Sequence, residues 1–404
     1  MRHSRIAVAV YLATALLSVA GCGSDPADPA EDPVVAPGQP PPPGPAQPGD
    51  GEGVAFGIDR LFLGDTDRDG KKMAGSWKQY GFNLDGKVSS TVSQDLCRPV
   101  DGASPSDVYP DGANGIDNSF GNKLVSLIAN FLTDPSTRVT DAIANGDFTV
   151  IFKLDGLGDQ PSYNPLTAKL YGGATLGAAP VWNGSDKWPV VPELLEDAQD
   201  IESAKVVFPA SYVVDNTWVS GPESQASFKL NLTFSGTTIG LTIRNVRIAM
   251  DLAPDHKSVV KGTIAGVLET AVLAEELRSV IGAVQPGVCE GSGIETILDQ
   301  VRRASDIMKD GSQDPSQECD AISIGIGFTA KQVQLGEIAP PATTTGVPCG
   351  EGGEGGGGGG AGGEGAGGAG GAGGEGAGGE AAGGAGAGAG AGGAGAGGAG
   401  GSAG

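Results

Sequence analysis

Histidine is almost missing from this chain of 404 residues, which has only His3 and His256. A zinc site built on two or three histidines is therefore excluded once the N-terminal stretch is removed. A serine or cysteine hydrolase would depend on His256 alone as its base. No Gly-x-Ser-x-Gly elbow accompanies it, and its setting, Ala253-Pro254-Asp255-His256-Lys257, reads as a turn that leaves the imidazole in solvent. No Walker loop or dinucleotide fingerprint occurs outside the glycine-rich C-terminal stretch. Basic residues are scarce as well, 25 against 48 acids, for a net charge of −23. That balance excludes a basic patch for nucleic acid or an anionic lipid surface. It identifies no partner, although it is compatible with cation binding. Cys-x-x-Cys pairs are absent, which argues against structural zinc.

What is present begins at the amino end. Arg2, His3 and Arg5 precede an apolar run over 6–17. About twelve residues are too few to span a bilayer, which takes about 20, but they suit a secretory signal peptide. The run leads into Leu17-Ser18-Val19-Ala20-Gly21-Cys22. This segment resembles the lipobox of bacterial lipoproteins. The resemblance implies that residues 1–21 are a signal peptide and that Cys22 becomes the first residue of the mature chain, carrying a diacylglyceryl thioether and an N-acyl group. Each buried methylene contributes about 0.8 kcal/mol, so two or three chains anchor firmly where one does not. Gly23, rather than aspartate, follows the cysteine; by the family's sorting rule this favours the outer membrane. The expected location is therefore exported and lipid-anchored, on the periplasmic or the cell-surface side.

The mature chain divides by composition. Residues 22–53 are rich in proline, glycine and acids, contain no lysine or arginine, and run through four consecutive prolines at 40–43. They read as an extended tether. Residues 349–404 are almost entirely glycine, alanine and glutamate and hold 34 of the 72 glycines. With neither large apolar residues nor a collagen repeat, this low-complexity tail is expected to be disordered. Between them, 54–348 has the size of one large domain or two intimate ones.

Four cysteines remain after lipidation: Cys97, Cys289, Cys319 and Cys349. In an oxidising compartment two disulfides are the default, and three connectivities are open. The favoured pairing is Cys289–Cys319, clamping a predicted helix, with Cys97–Cys349, tying the end of the domain to its early part.

Period-two alternation dominates 54–348. It marks Val54, Phe56 and Ile58; then Phe148, Val150, Phe152 and Leu154. The clearest stretch is 226–252, where a turn at Ser235-Gly236-Thr237 separates two alternating runs. A phase change between Ile243 and Val246 suggests a bulge. Ile322, Ile324, Ile326 and Phe328 make a late strand with Gly325 and Gly327 on its other face, where they would let a neighbour pack closely. Helical stripes are fewer: Leu124 to Phe131; Val139 and Ile143, ended by Gly146; Leu273 to Val284; and Ile294 to Met308. A short helix is also expected near Leu194 and Leu195. The expected fold is α+β or mainly β, a large antiparallel sheet or sandwich with a few helices packed on one side.

Two constellations carry chemistry. Asp65-Thr66-Asp67-Arg68-Asp69-Gly70 alternates carboxylates before a glycine, as the start of an EF-hand-like calcium loop does. Its twelfth position is Ser76 where an EF-hand has glutamate, and Lys71 and Lys72 oppose a cation. Asp65, Asp67 and Asp69 are thus candidate ligands for a structural calcium, against a plain polar turn. Trp182 and Trp188 flank a loop-like segment and could stack on a polysaccharide or a protein ligand, although such aromatics more often cover the edge of a core.

Three functions follow. The leading one is a membrane-anchored, non-catalytic binding or structural module. The alternatives are a carboxylate-dependent, glycosidase-like hydrolase and a periplasmic carrier of a hydrophobic ligand. Exposed stacking aromatics would favour the first, two facing carboxylates in a cleft the second, and an apolar cavity the third.

Overall fold

The computed structural model describes residues 38–108, 111–130, 133–221, 227–234, 237–284 and 293–341. Cys22 and its lipobox, Cys289, Cys349 and the glycine-rich tail lie outside these. Ten strands form one sheet that is antiparallel except where β4 meets β10. In chain order they are β1 (Val54–Phe62), β2 (Thr149–Asp155), β3 (Tyr163–Gly173), β4 (Lys187–Val190), β5 (Val206–Val214), β6 (Thr217–Val219), β7 (Phe228–Phe234), β8 (Thr237–Leu252), β9 (Ser258–Glu269) and β10 (Ala321–Ile338). Eight of them close on themselves in the order β1-β2-β3-β5-β6-β8-β9-β10 and back to β1, through antiparallel pairs at every step. The expected sheet or sandwich is thus a closed barrel, which leaves none of its own strands with an open edge. β7 lies off this circuit as a hairpin on β8, and β4 bridges β10 and β3.

The alternation read in the sequence sets the inside of the barrel. β10 turns Ile322, Ile324, Ile326 and Phe328 inward, all fully buried, and β1 contributes Phe56 and Ile58. Phe152 stacks on Phe328 with centroids 5.6 Å apart, and Phe208 meets Trp218 edge-on at 5.9 Å. An eight-stranded barrel is just wide enough for side chains to fill it, and these aromatics do so. Outward positions carry Lys153, Lys169 and Arg247. The outer face is mixed: Ile151, Tyr171 and Val333 share it and pack with Trp188 and Val190 of β4. No helix among the described residues is long and apolar enough to cross a membrane.

The phase change in β8 is a bulge. Register with β9 slips between Arg244 and Arg247, and Asn245 takes a left-handed φ of 51°. The glycines of β10 admit Tyr80: a Cβ on Gly325 would stand 2.3 Å from the Tyr80 carbonyl oxygen, and one on Gly327 would meet its ring.

Among the described residues, four helices enter through connections at the same end of the barrel. Between β1 and β2 come α1, a π turn (Phe120–Leu124) continued as α (Val125–Ile128), and α2 (Pro135–Asn145). Between β9 and β10 come α3 (Thr270–Val284) and α4 (Gly293–Arg302). Helix α4 is shorter than its stripe: Met308 lies beyond it, next to a bridge from Ile307 to Ala321. A 3-10 turn at Pro192–Leu194 answers the short helix expected there.

At the opposite end His256 corrects the reading of a solvated residue, being only 3 % exposed. Its Nδ1 lies 2.6 Å from the Gly158 carbonyl, which can only accept, so Nδ1 donates. Nε2 lies 3.0 Å from the Asn216 side-chain amide. The imidazole thereby ties the β2–β3, β5–β6 and β8–β9 turns together, with both ring nitrogens occupied.

Residues 38–53, read as tether, are extended, and they lie along the wall. Gln47 exchanges main-chain hydrogen bonds with Asn164, Tyr212 Oη donates to the Pro41 carbonyl, and Gly51 N to Gly156 O. Prolines bring no N–H groups that would need partners there.

Candidate functional site

The cysteine pairing expected from spacing is overturned. Cys97 is bonded to Cys319, 222 residues away, with Cα atoms 5.2 Å apart. Neither Cys289–Cys319 nor Cys97–Cys349 can coexist with that bond. The long loop 63–119 folds back over β10, and Arg98 pairs with Gln317 and Cys319 through main-chain hydrogen bonds. That crossing brings Cys97 to its partner, and spacing along the chain carries no trace of it.

Asp65, Asp67 and Asp69 do not converge. The Asp65 carboxylate accepts from Ser136 Oγ at the start of α2. Asp67 Oδ1 accepts from Asp69 N at 3.0 Å and Lys71 N at 2.9 Å, a turn closing on its own backbone. Between them Arg68 runs over the Tyr80 ring and donates to Gly262 O and Thr263 Oγ1. No group of three His, Cys, Asp or Glu able to hold a metal occurs among the described residues.

Trp188 is fully buried and Trp182 half-buried, their rings tilted at 5.9 Å in a small cluster with Tyr171, Val190 and Leu195. Trp188 therefore offers no free face to a sugar or peptide. Trp218 is fully buried inside the barrel.

Among the described residues two clefts stand out, and one helical segment separates them. The first lies between the four helices and the β7–β8 hairpin. Its walls are apolar throughout: Leu63, Phe120, Leu124, Leu127 and Ile128 on one side, Leu232, Ile239 and Leu241 from the hairpin, and Leu273, Leu277 and Val301 from α3 and α4. Leu127, Ile128 and Leu277 are only partly buried, so the cleft opens to solvent between α1 and α3. Its free volume is about 30 Å³. A water needs about 10–15 Å³ by the same measure, so the cleft as it stands is a narrow seam.

The second cleft, of about 20 Å³, is polar and lined by Asp107, Asp111, Asp117 and Asp306, by Asn118, Ser119 and Asn122, and by Lys123. Asp117 accepts from Leu84 N at 2.6 Å, and Asp306 from Ser323 N at 2.8 Å and Ser323 Oγ at 2.5 Å. Asp111 accepts from Ser89 N. Burial pushes the Asp111 and Asp306 carboxyls up to about 6 against these hydrogen bonds. It drives Asp117 well above the usual carboxylate range, helped by Asp85, Asp306 and Asp111 nearby. Burial also lowers the Lys123 ammonium, outweighing the attraction of Asp306 and Asp107. In the sequence the turns Asp111–Asp117 and Asn83–Gly86 stand out as possible further ligand donors to a cation, but nothing there links them to Asp306.

No family model matches the chain, and neither a curated protein nor a solved structure matches it significantly.

Proposed function

We propose that the protein is an exported, lipid-anchored binding module, tethered through Cys22, that holds a single apolar chain non-catalytically in the seam between α1, α3 and the β7–β8 hairpin. The supporting observation is the lining. An opening to solvent walled only by apolar side chains is retained in few places other than ligand or partner sites. The barrel interior is filled by its own aromatics, so the seam is where apolar volume can be gained. Among the described residues the carboxylate cleft, of about 20 Å³, has no room for a sugar ring, so the carboxylate-dependent hydrolase reading lacks a substrate pocket there.

The test uses the mature chain with Cys22→Ser, which avoids detergent, and the uncharged fluorescent probe N-phenyl-1-naphthylamine. Saturable binding at one site is expected, weakened at least about tenfold by Leu277→Trp, which fills the seam, with the melting temperature unchanged. Non-saturable uptake, or equal binding by Leu277→Trp, rejects the reading. Lipidation is tested separately: globomycin should accumulate an unprocessed precursor of the wild-type chain, and unaffected processing removes the anchor.

A further inference from the structure

The segment 117–128 has two faces. Phe120, Leu124, Leu127 and Ile128 line the apolar seam, while Asp117, Asn118, Ser119, Asn122 and Lys123 line or border the carboxylate cleft. The spacing of the first set is that of one stripe on a helix. The segment is held to β10 from the carboxylate side. Ser119 N donates to Ser323 Oγ at 2.8 Å, and that hydroxyl donates on to Asp306 at 2.5 Å. Asn118 donates to Tyr80 O and Gly325 O, both at 3.0 Å, and its carbonyl oxygen accepts from Gly325 N. Gln313 joins the two halves of the cluster, donating to Asp85 Oδ2 at 2.9 Å and to Asp306 O at 3.1 Å.

We propose that the carboxylate cluster Asp111, Asp117 and Asp306 is a proton-operated latch on segment 117–128, closed when the cluster holds protons and loosened when it ionises, so that the apolar seam opens toward higher pH. This rests on the seam being the ligand site.

The physical reason is hydration. Ionised carboxylates require water or cations, and the cleft has space for about two waters at most. The charged groups that face the cluster are Asp85 and Asp107, which add repulsion, and Lys123 and Arg247, which offset part of it. Five carboxylates against two cations leave an excess of negative charge. Hydrating it means moving segment 117–128 away from β10, and this shifts Phe120 and Leu124 in the seam. The Cys97–Cys319 bond stays intact and keeps the flanking loop attached.

The experiment has two readouts on the Cys22→Ser chain at pH 5 and pH 8. Amide-exchange protection of 117–128, corrected for intrinsic rates, needs no ligand. A roughly tenfold loss of protection from pH 5 to pH 8 is expected, the factor that one unit of proton linkage corresponds to. Asp306→Asn should abolish most of the difference; Asp111→Asn, at a less buried position, serves if that variant does not fold. Probe association with the seam should be faster at pH 8 in the wild type and equal at both pH values in the variant. Protection independent of pH, or a pH effect that survives the Asn substitutions, overturns the latch. PH-dependent protection with no probe binding at either pH keeps the latch but rejects the seam as its target, and so the apolar-ligand reading. Probe binding with pH-independent protection does the opposite.

Discussion

Single side chains show how little of a buried polar group's worth can be read without its surroundings. Tyr163 and Tyr171 lie on the same strand and are both fully buried. Tyr163 Oη donates to Asp50 at 2.7 Å and accepts from Gln160 N at 2.8 Å. Tyr171 Oη has no hydrogen-bond partner among the described residues. Removing a paired hydroxyl strands its partners and costs about 1–2 kcal/mol, whereas removing an unpaired one costs nothing. Tyr163→Phe should therefore lower the unfolding free energy by about that amount, and Tyr171→Phe should leave it unchanged or raise it; denaturant titration of the two variants checks both. Gln160 stands three residues before Tyr163, but Asp50 comes from a distant segment, and the sequence around the two tyrosines does not show which hydroxyl is paired. His256 teaches the same lesson: a Pro-Asp turn predicted solvent, and two facing turns bury the ring.

Elements are where the sequence was most legible, and also where the disulfide misled. The runs in β1, β2, β7, β8 and β10 are visible because one face of each is buried, so apolar residues alternate. Even the β8 bulge shows, as a slip in phase. Strands β3, β5, β6 and β9 escaped notice, as did β4, whose Lys187–Val190 falls partly in the segment read as a loop; β9 is buried on both faces over much of its length, and its sequence Thr263-Ile264-Ala265-Gly266-Val267 has no alternation to read. Gly325→Ala forces a Cβ to within 2.3 Å of the Tyr80 carbonyl oxygen and should cost about 2–3 kcal/mol, as overpacking against backbone does; thermal unfolding measures it. Closing a loop of 222 residues is worth about 5 kcal/mol in the chain-entropy model. Reductant, or Cys97→Ser, should destabilise accordingly, and peptide mapping without reduction should recover Cys97 linked to Cys319.

For the molecule as a whole, pH dependence follows from the carboxylate cluster. Asp111, Asp117 and Asp306 are raised in the folded state, so the folded chain binds their protons more tightly than the unfolded chain does. Their contribution is fully present below the unfolded value near 4; that of Asp111 and Asp306 is lost as pH rises through about 6, and that of Asp117, held well above the usual carboxylate range, goes with its own ionisation. Carboxylates shifted the other way, such as Asp310 and Glu202, are mostly ionised in both states above pH 5 and add little slope there. The melting temperature should fall between pH 5 and pH 7.5, on the order of 5 °C, and Asp306→Asn should flatten the fall; calorimetry across that window is the check. What the sequence determined by itself is what local pattern encodes: an acidic, histidine-poor chain, a lipobox-like start, and strands with one apolar face. Tertiary structure alone decided that those strands close into a barrel, that Cys97 meets Cys319, that residues 38–53 lie on the wall, and that one short helix divides an apolar seam from a nest of carboxylates. Each of these depends on contacts between residues tens to hundreds of positions apart, and periodicity along a chain carries no record of such contacts.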